Sequence, residues 1–317
     1  MTPIIRTVCG DIPASELGVC YPHEHLFGAP PKHLSAPDFE LDSFDAALEE
    51  TKQFHNAGGR ALVDMSTLDY NRDIQQLKRV SEASAVHIIA ATGFNKDRFS
   101  KSIVDGLSDQ GLDDLLFSDV TAGVDGTNIK AGLLKAASTK NTISKTAQRV
   151  FESVARVHKK TGVPVSTHTE AGTMALEQVT LLTNRGVDPA RIIIGHLDRK
   201  LEWSFILDVA QTGVFMGFDQ ISKEKYFPDQ LRVEIILKLI DHGHGGQILL
   251  SGDLARRSYW PGYGYKHAPG FTFILERFVP MLRAAGASDA HITDLIKHNP
   301  ARALSVIPVS SATQNAG

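Results

Sequence analysis

With 317 residues, 42% of them hydrophobic and 22% charged, the chain carries enough apolar material for one large core, and its length suits one α/β barrel or two smaller domains. A formal net charge of -3 leaves no basic surplus for nucleic acid or an anionic membrane, so a small molecule is the expected partner. No apolar run approaches the roughly 20 residues that span a bilayer, MTPIIRTVCGDIP lacks the pattern of a signal peptide, and Cys9 and Cys20 are too few for a disulfide framework, so a cytoplasmic setting is expected.

Short apolar runs rich in β-branched residues alternate with longer stretches of helical period, the pattern of repeated βα units around a parallel sheet. In chain order the runs are GVCYPH near residue 20, ALVDMS near 62, HIIAAT near 88, IKAGLL near 131, VPVSTH near 165, RIIIGH near 193, VFMGF near 216 and QILLSG near 249. Eight such units predict a closed (β/α)8 barrel, a single domain over 1–317. Between the runs lie amphipathic stretches such as SFDAALEETKQFH and AQRVFESVARVHKKTG, the second ending at Gly162 as helices often do. The polar stretch 96–128 is expected to be a loop insertion after the third strand that helps rim a pocket, and 309–317 a loose tail.

Chemistry in such a barrel gathers at the C-terminal ends of the strands. The first run ends in His23-Glu24-His25, and because alternate strand residues share a face, both imidazoles point into the barrel and Glu24 points away. Lys135 stands near the end of the fourth run, His168 at the end of the fifth, His196 of the sixth and Asp253 of the eighth. Neutral imidazoles suit zinc and similar ions, and a carboxylate adds charge, so four histidines and an aspartate at these ends point to a shared metal site. His242-Gly243-His244 has the same spacing but precedes the eighth run, on the opposite face, and reads as a turn. The remaining histidines read as surface or capping groups, with His33 and His267 also open to a place on the rim.

The segments HEH, GLLKAAS, THTE, IGHLD and SGD, with DMSTLDYNRD, VHIIAATGF and HNPARAL, resemble the phosphotriesterase family of the amidohydrolase superfamily over nearly the whole chain. The resemblance implies two divalent ions, one held by His23, His25 and Asp253, the other by His168 and His196. It implies that Lys135 bridges them as a carbamate formed with carbon dioxide, because an ammonium group is a poor ligand. Zinc is the expected ion, and manganese or cobalt suits the same donors. Such a pair would furnish hydroxide near neutrality, with Asp253 both ligand and proton carrier. There is no GxSxG segment, and neither cysteine sits at a catalytic strand end, which argues against covalent catalysis. Asp198 and Glu170, two residues beyond His196 and His168, are either groups that orient ligands or loop charges.

One metal pair of this kind serves carboxylic esters, lactones or phosphotriesters, so the loops decide the substrate. DQISKEKYFPD after the seventh run and DLARRSYW after the eighth bring cations beside the metals, where barrels of this type often bind phosphate. These segments resemble the branch of the family that hydrolyses phosphorylated sugar lactones, which implies Lys225, Arg256 and Tyr259 as phosphate contacts, with Lys223 and Arg257 behind them. The alternative is a solvated loop in which Glu224 pairs with neighbouring lysines. Asp69, Asn71, Arg72 and Asp73, with Asn95 and Lys96, are candidates for substrate hydroxyls, and Arg72 and Asp73 equally for helix capping. The rival readings are a hydrolase for neutral apolar lactones or phosphotriesters, a one-metal deaminase, and a non-catalytic barrel that binds a ligand or partner. A homodimer is implied by the resemblance alone.

Overall fold

The computed structural model describes residues 3–34 and 36–307, so the expected tail 309–317 lies outside the described residues. The chain opens with an antiparallel hairpin, β1 (Ile4–Thr7) and β2 (Gly10–Pro13), that the sequence reading did not contain. Ile5 of this hairpin packs with the side chains that fill the barrel.

Eight parallel strands follow, each paired with the next: β3 (Cys20–Glu24), β4 (Ala61–Asp64), β5 (His87–Gly93), β6 (Leu133–Ala137), β7 (Val165–His168), β8 (Ile192–Gly195), β9 (Phe215–Phe218) and β10 (Ile248–Leu250). They make a nearly closed (β/α)8 barrel. Alternation divides its apolar residues: Ile89 and Ala91 of β5 join the interior cluster, while Ile88 and Ala90 join the layer between strands and helices. Each large aliphatic buried in this way stabilises the fold by about 1.5–3 kcal/mol.

Side chains join the two ends of the sheet. Glu24 Oε1 accepts from Gly252 N at 2.6 Å and lies 2.9 Å from Ser251 Oγ, and its Oε2 accepts from Leu254 N at 2.9 Å. The Glu24 side chain, which turns away from the His23 and His25 side chains on either side of it, therefore ties down the loop that carries Asp253.

The helices of the outer layer are α1 (Phe44–Asn56), α2 (Ile74–Ser84), α3 (Asp97–Val104), α4 (Asp109–Thr121), α5 (Lys145–Thr161), α6 (Ala175–Thr183), α7 (Trp203–Gln211) and α8 (Asp229–Asp241). Ser43, Asp73, Ser108 and Ser144 accept backbone N–H groups at the starts of α1, α2, α4 and α5. Gly162 ends α5 at φ +71°, where a Cβ would be strained. Residues 96–128, expected as a loop insertion, hold α3 and α4. The stripe Leu112, Leu116 and Val120 faces inward at helical spacing together with buried Asp113 and Asp119, while Asp109, Asp114 and Ser118 are exposed on the outer face. The run read as IKAGLL begins its strand only at Leu133, which moves Lys135 from near a strand end to mid-strand. No helix among the described residues is long and apolar enough to cross a membrane.

Candidate metal centre

His23, His25, Lys135, His168, His196 and Asp253 all line one cavity of about 330 Å³ at the C-terminal ends of the barrel strands. His25 Nε2 lies 3.4 Å and His23 Nε2 3.8 Å from Asp253 Oδ1, and one donor atom of each residue falls within 4.8 Å of the others. Burial pulls His23 down to about 4 and lowers His25 as well, so both rings are neutral at pH 7 with a lone pair to offer. Ser66 Oγ lies 2.9 Å from His25 Nδ1, on the side of the ring away from Asp253.

Across the cavity, His168 Nδ1 faces His196 Nε2 at 2.7 Å, and the buried His168 Nε2 meets no hydrogen-bond partner among the described residues. Burial lowers His168 well below the ordinary histidine value. Imidazole nitrogens converging in this way suit a cation, and His23, His25 and Asp253 offer a second donor set.

Lys135 is 1% exposed and donates to Met65 O at 2.7 Å. Burial draws its amine down to about 8 against the upward pull of Asp69 and Asp253. The neutral amine from which a carbamate forms is therefore accessible near neutral pH. The residues fit a metal pair.

Asp219, directly after β9, was missed in the sequence. Its Oδ1 lies 2.6 Å from His196 Nδ1 and its Oδ2 3.3 Å from His23 Nδ1, and His196 N donates to it at 3.0 Å. Burial alone would raise this carboxyl, but the two imidazoles reverse the effect and hold it well below the usual carboxylate range. Burial likewise opposes charge on His196, and Asp219 outweighs it. His23, His196 and Asp219 are close enough to hold an ion themselves. Asp219, however, meets both rings on the Nδ1 side at hydrogen-bond distances, the part of an acceptor that orients ligands. The signal available in the sequence was its position, an acid one step beyond the seventh apolar run, as the histidines stand beyond theirs.

Asp253 sits at φ +45° and His196 at φ +60°, conformations that few non-glycine residues adopt and that cluster at functional sites. Asp253 is gripped from two sides. Lys223 Nζ donates to its backbone O at 2.6 Å and its Oδ2 at 3.0 Å, and Gln220 Nε2 donates to Oδ2 at 2.7 Å.

The model of the phosphotriesterase family matches residues 3–304. The chain belongs to the phosphotriesterase family. It is 33% identical over 325 aligned residues to a phospho-furanose lactonase of Mycoplasmopsis synoviae, a match covering 94% of this chain and 91% of that protein. A lactonase of Listeria monocytogenes has a solved structure similar to this one at TM-score 0.92 and 32% identity, over 96% of this chain and 99% of that one. The phosphotriesterase homology protein of Escherichia coli, solved with phosphate in its active site, matches at TM-score 0.87 and 31% identity, over 91% and 99%.

On this phosphotriesterase-family barrel, one side of the cavity rim is cationic. Lys225 Nζ lies 2.7 Å from Tyr259 Oη, and Arg256 stacks 3.9 Å above the Phe39 ring while pairing with Asp38 at 3.2 Å. Arg199, not singled out in the sequence, packs 3.4 Å over the Tyr226 ring, and Lys225 Nζ lies 5.0 Å from that same ring. Arg199, Tyr226, Lys225, Tyr259 and Arg256 thus form a continuous arc.

The other candidates are engaged by neighbouring groups. Lys223, 5% exposed, lines the cavity with its Nζ 5.2 Å from the Tyr259 ring, but its hydrogen bonds go to Asp253 and Gln220. Arg257 turns to Asp42 at 2.8 Å and does not line the cavity. Asp198 is fully buried and accepts from Gln220 N at 2.9 Å and Arg232 Nε at 2.8 Å, so it supports the neighbour of Asp253 and no histidine. Glu170 pairs with Lys96. Asp69 accepts from Asn95 N at 2.8 Å, Asn71 donates to Ala29 O, Arg72 is buried against Asp119 and Asp125, and Asp73 caps α2. His33 and His267 are exposed outside the cavity, and His242 closes α8 at the far end of the barrel.

Proposed function

We propose that this hydrolase of the phosphotriesterase family, acting on ester bonds, holds two divalent ions and opens the ring of a phosphorylated sugar lactone. His23, His25 and Asp253 would hold one ion, His168 and His196 the other, with carbamylated Lys135 between them. Zinc, manganese and cobalt all suit these donors. When bound, such ions supply Lewis acidity and lower the pKa of water toward neutrality.

The chain's own groups account for the rest. Asp253 takes a proton from the attacking water at its carboxylate and returns it to the ring oxygen that leaves. Lys223 and Gln220 hold Asp253 at Oδ2, which leaves Oδ1 toward His23 and His25. Asp219 keeps the Nδ1 protons of His23 and His196 in place and their Nε2 atoms turned to the cavity.

The observation that carries the substrate assignment is that Arg199, Tyr259 and Arg256 line the cavity, with Lys225 Nζ 2.7 Å from Tyr259 Oη behind them. Guanidinium, ammonium and phenol donors suit a phosphate dianion, whose binding at a distance from the ester orients the carbonyl for attack. The phospho-furanose lactonase relative and the phosphate bound in the Escherichia coli protein support this reading.

The test compares kcat/KM of metal-reconstituted protein on a phosphorylated sugar lactone and on the same lactone without phosphate. A preference of about 100-fold or more is expected from charge-assisted contacts of this kind. Equal values on both would refute the phosphate assignment.

A further inference from the structure

Arg256, in the loop after β10, lines the cavity and is held on two sides by the loop after β3. Its guanidinium carbon lies 3.9 Å from the centre of the Phe39 ring, which fixes the face of the group. Its Nη1 donates to Asp38 Oδ2 at 3.2 Å, which fixes its rotation. A guanidinium has five N–H groups, and Arg256 makes no other side-chain hydrogen bond among the described residues, so the rest are left for a ligand.

Asp38 is itself fixed. Its Oδ1 accepts from Ser258 N at 2.9 Å and its Oδ2 from Ser258 Oγ at 2.8 Å, two residues beyond Arg256 in the same loop. Burial would raise this carboxyl, but the Ser258 donors and Arg256 outweigh it and hold it below its usual value. The loop after β3 has other anchors close by. Phe39 O accepts from Tyr70 Oη at 3.3 Å, and Asp42 N and Ser43 N donate to Tyr263 Oη at 2.9 and 3.0 Å. A phosphate that meets an unrestrained arginine must first order a side chain with many rotamers, which weakens binding. Here the fold has already done the ordering.

We propose that Asp38 is a positioning residue for substrate phosphate: with Phe39 it presets the Arg256 guanidinium, so that the loops after β3 and β10 build the phosphate site together. This inference rests on the phosphate reading above and adds to it a loop that carries no cation to the ligand. Charge and orientation make opposite predictions here. Removing the Asp38 charge makes the rim more positive, so charge alone predicts tighter phosphate binding, whereas loss of orientation predicts weaker binding.

The test uses the full metal-reconstituted chain, with kcat and KM measured on a phosphorylated sugar lactone and on the same lactone without phosphate. Asp38→Asn keeps the size of the side chain and an acceptor for Ser258 but removes the charge that pairs with Arg256. It is expected to raise KM for the phosphorylated lactone about 10-fold, with kcat, and kcat/KM on the other lactone, changed less than about threefold. Ser258→Ala leaves both charges in place and frees the carboxylate to move; a shift of about threefold in the same direction is expected, so the test survives if Asp38→Asn folds poorly. In an Arg256→Met background Asp38→Asn is expected to add nothing, because its effect runs through the arginine. A KM that falls or stays unchanged, an equal loss on both lactones, or a full added loss in the Arg256→Met background overturns the positioning role. If Arg256→Met alone spares the phosphorylated lactone, the phosphate reading of that arginine fails and takes the proposal with it.

Discussion

The Asp219 carboxylate lies 2.6 Å from Nδ1 of His196, and its second oxygen reaches His23, so a single acid orients one imidazole from each of the two donor sets. Asp219→Asn is expected to weaken metal binding at both sites by about 10- to 100-fold, the range typical of partners that orient ligands. Chelator competition on the purified protein measures this. Unchanged affinity at both sites would mean that the histidines hold their geometry without it.

Lys223 bonds both the backbone and the carboxylate of Asp253, the group assigned to move the proton. Lys223→Met is expected to lower kcat by about 100-fold with little change in KM, within the usual range for general acid–base catalysis. A rise in KM confined to phosphorylated substrates would instead return Lys223 to the phosphate-binding set.

Neighbouring arginines separate phosphate binding from general surface charge. Arg256 lines the cavity, whereas Arg257 is occupied by Asp42 outside it. Arg256→Met is expected to reduce kcat/KM on a phosphorylated lactone by about 10- to 100-fold. The same change at Arg257 is expected to leave it within about twofold, as suits an exposed ion pair. Equal effects from both would point to long-range charge and not to contact.

Carbamate formation needs the neutral amine of Lys135, and burial brings that amine down to about 8. The group is protonated below this value, so the neutral fraction falls about tenfold for each pH unit beneath it. At a fixed concentration of dissolved carbon dioxide, assembly of metal-free protein with divalent metal is therefore expected to be several-fold faster at pH 8.5 than at pH 7 and slower again at pH 6. Loading that keeps one rate over this range would argue against carbamate formation as the limiting step.

The strands were legible because each is an apolar run, and the four histidines and Asp253 drew notice because they stand where those runs end, whereas Lys135 lies mid-strand. Distant partnerships were not. Glu24 was read correctly as turning away from the cavity, but its acceptors' partners, Ser251, Gly252 and Leu254, are more than 200 residues away in sequence. Asp219 likewise gains its meaning only when β9 brings it beside His23 and His196. Lys223 and Lys225 would share a face on an extended segment, yet the chain turns at Ser222, φ +76°, and sends one lysine to Asp253 and the other to the rim. The hairpin of β1 and β2 escaped notice because its strands have four residues each, too few to display a period. The helices within 96–128 were hidden by polar residues on their outer faces.

The most direct test of the central claim is metal analysis of reconstituted protein, joined to a crystal structure of the loaded enzyme that shows the Lys135 side chain. Two ions per chain, with carboxylated Lys135 between them, is the expected result. One ion per chain, or an unmodified Lys135 in the fully loaded protein, would contradict it.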